Sequence, residues 1–115
     1  MAQKAVYQSI YPARHAFHSS ERYAADCGLN GGPFDDLIVF HTVFGKTVPD
    51  VSLNAVANLG YGEGRWLKPV FAGDTLTASS EVIGLKQNSS GKTGIVWVRT
   101  IGRNGLGEAV IEYVR

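Results

Sequence analysis

The chain has 115 residues, 44% of them hydrophobic and 18% charged, with a formal net charge of +1. That length is one domain, 1–115, and the composition excludes a disordered polar chain. The near-neutral charge argues against a nucleic-acid partner, whose phosphates require a basic face.

A chain of this size buries roughly two thirds of its unfolded surface, a modest core that pairing with a second copy would supplement. Its one cysteine, Cys27, excludes an internal disulfide framework and a multi-cysteine metal site. Met1 to Tyr7 is too polar for a signal peptide. Apolar runs such as Leu37 to Phe40 fall far short of the ~20 residues a membrane helix needs. The cytoplasm is the expected compartment. Residues 1–57 carry a net charge of −1 and residues 58–115 of +2, a mild asymmetry that would suit an anionic ligand.

The first 32 residues are loop-rich, with turn chemistry at Tyr11-Pro12 and from Gly28 to Pro33. Between these, Ser19 or Ser20 would cap a short helix over Glu21 to Cys27, which Gly28 ends. A longer helix is predicted from Pro33 to Phe44, or about 33–45. Proline suits its first turn, and Asp35 and Asp36 complement the positive end of the helix dipole. Phe34, Leu37, Ile38, His41 and Phe44 share one face, yet Val39, Phe40 and Val43 make the helix apolar nearly all round. Such a helix is expected to be enclosed. Gly45, Lys46 and Pro49-Asp50 should close it.

Strands are expected thereafter. Val51 to Leu59 reads as an apolar strand and Gly60 to Gly64 as a turn. Arg65 to Val70 leads to a second turn at Phe71 to Asp74. Thr75 to Lys86 alternates, and the adjacent Val82 and Ile83 suggest a bulge. Thr93 to Arg103 is rich in β-formers. Asn104-Gly105 signals a hairpin, and Leu106 to Arg115 runs back. One buried helix followed by antiparallel strands is an α+β pattern. A sheet wrapped round a central helix, the hot-dog fold, is the economical arrangement.

The chain resembles the MaoC-like hydratase/dehydratase family, and within it the mesaconyl-CoA hydratase-like branch. The resemblance is carried by Ala55 to Gly60 and above all by Pro69-Val70-Phe71-Ala72-Gly73-Asp74-Thr75-Leu76. Ser80 to Ile83, Gly94 to Val96 and Gly105 to Glu108 also fit. So do Gly45 to Asp50 and His18-Ser19-Ser20-Glu21-Arg22-Tyr23-Ala24. It implies an acyl-CoA hydratase/dehydratase acting on an enoyl-CoA or 3-hydroxyacyl-CoA, paired as a homodimer. Coenzyme A would enter as part of the substrate, with no separate cofactor, metal, nucleic acid or membrane.

The resemblance places His18 as the acid/base residue, since imidazole titrates near neutrality. It implies that the thioester oxygen is received by amides at the helix start, around Gly31, Gly32, Asp35 and Asp36. Val70, Phe71 and Gly73 would lie by the acyl-pantetheine arm. The family's Asp or Asn, five residues before the histidine, is replaced here by Ala13. The chain is therefore expected to be shortened or to have lost half of a catalytic pair. Two alternatives stand beside the hydratase: a non-catalytic acyl-thioester binding or dimerisation module, and a thioesterase using Asp35 or Asp36. His15 and His18 would make a weak metal pair, His41 a hydrogen-bonded core histidine, Asp74 a turn former and Cys27 a structural thiol. Arg65, Lys86 and Lys92 would be solvated or meet coenzyme A phosphates.

Overall fold

The computed structural model describes residues 1–12 and 15–115. Its elements are α1 (Ala2–Ile10), a 3₁₀ turn (Ala16–His18), α2 (Glu21–Asp26) and α3 (Asp36–Thr47). A π-helical turn (Val48–Ser52) follows, then β1 (Gly62–Trp66), β2 (Thr77–Gln87), β3 (Gly94–Arg103) and β4 (Ala109–Val114). The strands form one antiparallel sheet in the order β1-β4-β3-β2.

Local chemistry accounts for most of these boundaries. Ser20 Oγ accepts from the Tyr23 amide at 3.2 Å to start α2, and Gly28, at φ +84°, ends it. The β2–β3 register slips between Val82 and Gly84, where the sequence suggests a bulge. In the β3–β4 turn Asn104 Oδ1 accepts from the Leu106 and Glu108 amides, both at 3.0 Å. The left-handed residue there is Gly107, at φ +79°, so the turn is longer than a two-residue Asn-Gly hairpin.

The structure departs from several expectations. α3 begins at Asp36, not Pro33, because the Phe34 amide donates to the Val70 carbonyl at 2.7 Å and keeps the preceding residues extended. It also runs through Gly45 and Lys46 to Thr47, since Pro49 falls in the first turn of the next element, where a missing N–H costs little. Within this chain the sheet covers only one face of α3. Val39, Val43 and Thr47 are buried, whereas Leu37 is 51% exposed and His41 is at the surface, not in the core.

Residues 51–59 form no strand. Among the described residues they pair with no strand, the Ala55 amide donating instead to the Ser52 carbonyl at 3.0 Å; Leu53, Val56 and Leu59 are exposed, and β1 starts inside the expected Gly60 to Gly64 turn. α1 is absent from the sequence reading altogether. The core gathers Val39 and Val43 of α3 with Val70, Leu76, Val110, Ile111 and Tyr113, and Phe34, Phe40, Phe44 and Ala78 pack around it.

Candidate active site

The segment between α2 and α3 is gripped from two helices. Lys4 of α1, buried despite its charge, donates from Nζ to the Gly32 carbonyl at 3.0 Å. Glu21 of α2 accepts the Gly32 amide on Oε2 at 2.8 Å. Both ends of this residue are thus tied down, and the close approach needs glycine. A Cβ on Gly31 would come within 2.9 Å of Glu21 Oε2, and one on Gly32 within 3.0 Å of the Phe17 carbonyl. Gly31 also has a left-handed φ of +98°.

His18 ends the 3₁₀ turn that packs on this segment. Its Nδ1 lies 3.1 Å from the Pro33 carbonyl. A carbonyl can only accept, so the bond assigns the proton to Nδ1 and leaves the Nε2 lone pair of the neutral ring free. The His18 carbonyl accepts from Gln8 Nε2 at 3.0 Å, and the same nitrogen donates to Asp35 Oδ2 at 2.9 Å. Asp35 sits at the N-cap position of α3, yet its side chain makes no capping bond. The first amides of α3, on Asp36 and Leu37, lie beyond the reach of any carbonyl of their own helix. Trp66 Nε1 donates to the Asp36 carbonyl at 2.8 Å and ties β1 to this corner.

No protein-family model matches the chain. It is 66% identical over 113 residues to the mesaconyl-CoA hydratase of Cereibacter sphaeroides, covering 98% of this chain and 33% of that protein. It is 55% identical over 111 residues to the beta-methylmalyl-CoA dehydratase of Chloroflexus aurantiacus, covering 96% and 32%. A MaoC domain dehydratase structure from Chloroflexus aurantiacus superposes with a TM-score of 0.94 at 54% identity, over 99% of this chain and 32% of that one. The chain is similar, along nearly its whole length, to one third of these MaoC-type proteins and shares their fold.

The (R)-hydratase of A. caviae shares the fold, with a TM-score of 0.73 at 20% identity over 98% of this chain and 82% of that one. The MaoC-like chain spans about a third of the length of the curated relatives it matches.

Within this MaoC-like domain the structure brings His18, Gly32, Asp35 and the start of α3 together. The Gly32 amide is engaged by Glu21, so it does not offer a free hydrogen to a thioester oxygen, contrary to expectation. Among the described residues, the amides with no partner lie further on, at Asp36 and Leu37. Val70 reaches this corner only through its backbone. Its side chain is buried in the core, which leaves it no surface for substrate. Phe71 and Gly73 form a tight turn. The Phe71 amide donates to Asp74 Oδ2 at 2.9 Å, the Asp74 amide donates to the Phe71 carbonyl at 3.1 Å, and Gly73 has φ +97°.

Other candidates fall elsewhere. His15 Nδ1 accepts from the Phe17 amide at 3.4 Å, which occupies that nitrogen, and its ring packs against Phe17 at a 42° tilt with centroids 4.1 Å apart. Among the described residues no group of three His, Cys, Asp or Glu stands close enough to hold a metal. Cys27 is exposed at the end of α2. Ala13 lies outside the described residues. A cavity of about 360 Å³ is lined by Lys46, Thr47, Ala78, Ser80, Val82 and Val98, at the opposite end of α3 from His18. Among the described residues no helix is long and apolar enough to cross a membrane.

Sequence reasoning missed Gln8. The available signal is the Lys4–Gln8 spacing of four, which puts two polar side chains on one face of α1.

Proposed function

We propose that this domain forms part of an acyl-CoA hydratase/dehydratase acting on a branched, dicarboxylic enoyl thioester. The observation that carries this reading is the 66% identity, along nearly the whole chain, to a mesaconyl-CoA hydratase. The second relative's name, a beta-methylmalyl-CoA dehydratase, describes the same chemistry run toward loss of water.

In this reading His18 Nε2 is the acid/base group. It takes a proton from water as the water oxygen bonds to the β-carbon. The π electrons move onto the thioester oxygen as an enolate; as that enolate collapses back to the thioester, the α-carbon takes the proton from Nε2 and the ring returns to its neutral form. Amides at the start of α3, on Asp36 and Leu37, would hold the developing oxyanion, where the helix dipole also favours negative charge. Coenzyme A enters as part of the substrate, with no separate cofactor. A single 1–115 domain, a homodimer and a cytoplasmic setting complete the proposal.

A second reading is a non-catalytic acyl-thioester binding or dimerisation module. Ala13 favours it, standing where the family resemblance calls for an Asp or Asn partner. The thioesterase reading would need Asp35 or Asp36 as acid or base, and the Asp35 carboxylate is already engaged by Gln8. Incubation with mesaconyl-CoA and crotonyl-CoA separates the three. Loss of enoyl thioester absorbance without free thiol supports the hydratase, and released thiol supports the thioesterase. Binding with neither change supports the module and overturns the enzyme.

A further inference from the structure

An aspartate at an N-cap position ordinarily turns its carboxylate onto the first amides of its helix, gaining both hydrogen bonds and a favourable dipole interaction. Asp35 does not. Its carboxylate accepts from Gln8 Nε2 at 2.9 Å, and no side-chain bond caps α3. The second hydrogen of the same amide goes to the His18 carbonyl at 3.0 Å. A primary amide carries two N–H groups, so one glutamine satisfies both acceptors.

From this we infer that Gln8 is a positioning residue of the site, resting on the hydratase reading above. It holds the Asp35 carboxylate away from the amides of Asp36 and Leu37 and fixes the turn that bears His18. Without it, the Asp35 carboxylate is released to turn onto the Leu37 amide, as an N-cap aspartate ordinarily does. A capped helix end has no room for an oxyanion. Gln8 therefore keeps the thioester oxygen's seat empty without touching the substrate.

Gln8 also helps to dock α1, so the test must separate the two roles. Lys4 provides that control, since its bond to the Gly32 carbonyl anchors α1 but leaves Asp35 alone. The measurements are the Leu37 amide resonance in ¹⁵N-labelled protein and the kcat for mesaconyl-CoA hydration. Gln8→Met, which keeps the side chain's length, should shift the Leu37 proton downfield as Asp35 caps it. It should also lower kcat about 10²- to 10³-fold, the scale on which the loss of an oxyanion donor acts. Adding Asp35→Ala should return the Leu37 resonance to its uncapped position. Lys4→Met should leave that resonance where it was.

An unmoved Leu37 amide in Gln8→Met overturns the inference, and so does a moved amide with unchanged kcat. If the wild-type chain hydrates nothing, the hydratase reading fails by itself, and the Leu37 amide still decides whether Gln8 withholds Asp35. Should Gln8→Met not fold, Gln8→Asn keeps the amide but falls short of Asp35 and gives the same measurement.

Discussion

Gly102 of β3 lies directly beneath Val43 of α3. A Cβ built on Gly102 would stand 2.7 Å from Val43 Cγ2 and 2.7 Å from Cγ2 of Ile111, its neighbour in β4. Both of those side chains are fully buried, so neither has space to move aside. The missing side chain is what lets the helix settle onto the sheet. In an open strand, alanine would be the better residue, because glycine loses more entropy on folding. Gly102→Ala is therefore predicted to destabilise the domain by about 1–3 kcal/mol, as overpacking does. A lower denaturant midpoint at unchanged slope would show it, whereas a raised midpoint would mean that α3 does not press on this strand.

Asp74 closes the turn that follows Val70. Its carboxylate accepts from the Phe71 amide, and its own amide donates back to the Phe71 carbonyl. The residue is exposed, so Asp74→Ala should cost only about 0.5–1.5 kcal/mol, the net value of one such bond. Turnover of an enoyl thioester should survive the change. A variant that kept its melting temperature but lost turnover would assign Asp74 a chemical role instead of this structural one.

How much of this was legible depends on where each residue's partners lie. α2 is marked by its own flanks, Ser20 and Gly28, and the bulge near Val82 by two adjacent apolar residues. Their causes are local. The start of α3 is not local, because Pro33 and Asp35 favour a helix there until Val70, in a different part of the chain, claims the Phe34 amide.

α1 escapes for a different reason. Its inward face is polar, with Lys4 and Gln8 bonded to the body of the domain, while Val6 and Ile10 point outward at 62% and 66% exposure. A rule that turns apolar faces inward reads this helix backwards. His18 came from the family resemblance, not from any pattern in the residues. Gln8 could not, because its role exists only once three separated segments meet.

Among the described residues, Glu108 is the carboxyl group held away from its ordinary titration range. The Lys68 ammonium hydrogen-bonds its carboxylate, the Asn104 amide adds a second bond, and the Lys68 charge also favours ionisation. Together they hold the group below the ordinary glutamate value of about 4.3. A carboxyl group depressed in the folded state stabilises the fold above the unfolded value, and that contribution is lost as pH falls through the folded value. The pair is solvent-exposed, so the effect should be small and sensitive to salt. Melting temperatures recorded through the acid range should fall less steeply for Glu108→Gln than for the wild type. Identical acid limbs at low salt would show that the ion pair contributes nothing to folding.

The histidine carries the chemical claim, and its surroundings make two substitutions informative together. His18 Nδ1 is spent on the Pro33 carbonyl, so only Nε2 can exchange a proton with water or the α-carbon. His18→Ala removes both the proton carrier and this bond. It is predicted to lower hydration of mesaconyl-CoA by ~10²–10⁴, the usual contribution of a positioned acid/base group. His18→Asn keeps a side-chain N–H able to reach the Pro33 carbonyl but has no group that titrates near neutrality. If the role is chemical, both variants lose rate to a similar degree, and the asparagine variant keeps the wild-type melting temperature. If the role is only to tie the 3₁₀ turn to the start of α3, asparagine restores turnover along with stability. Rate measurements on the two variants, each set beside its thermal melt, distinguish proton transfer from scaffolding.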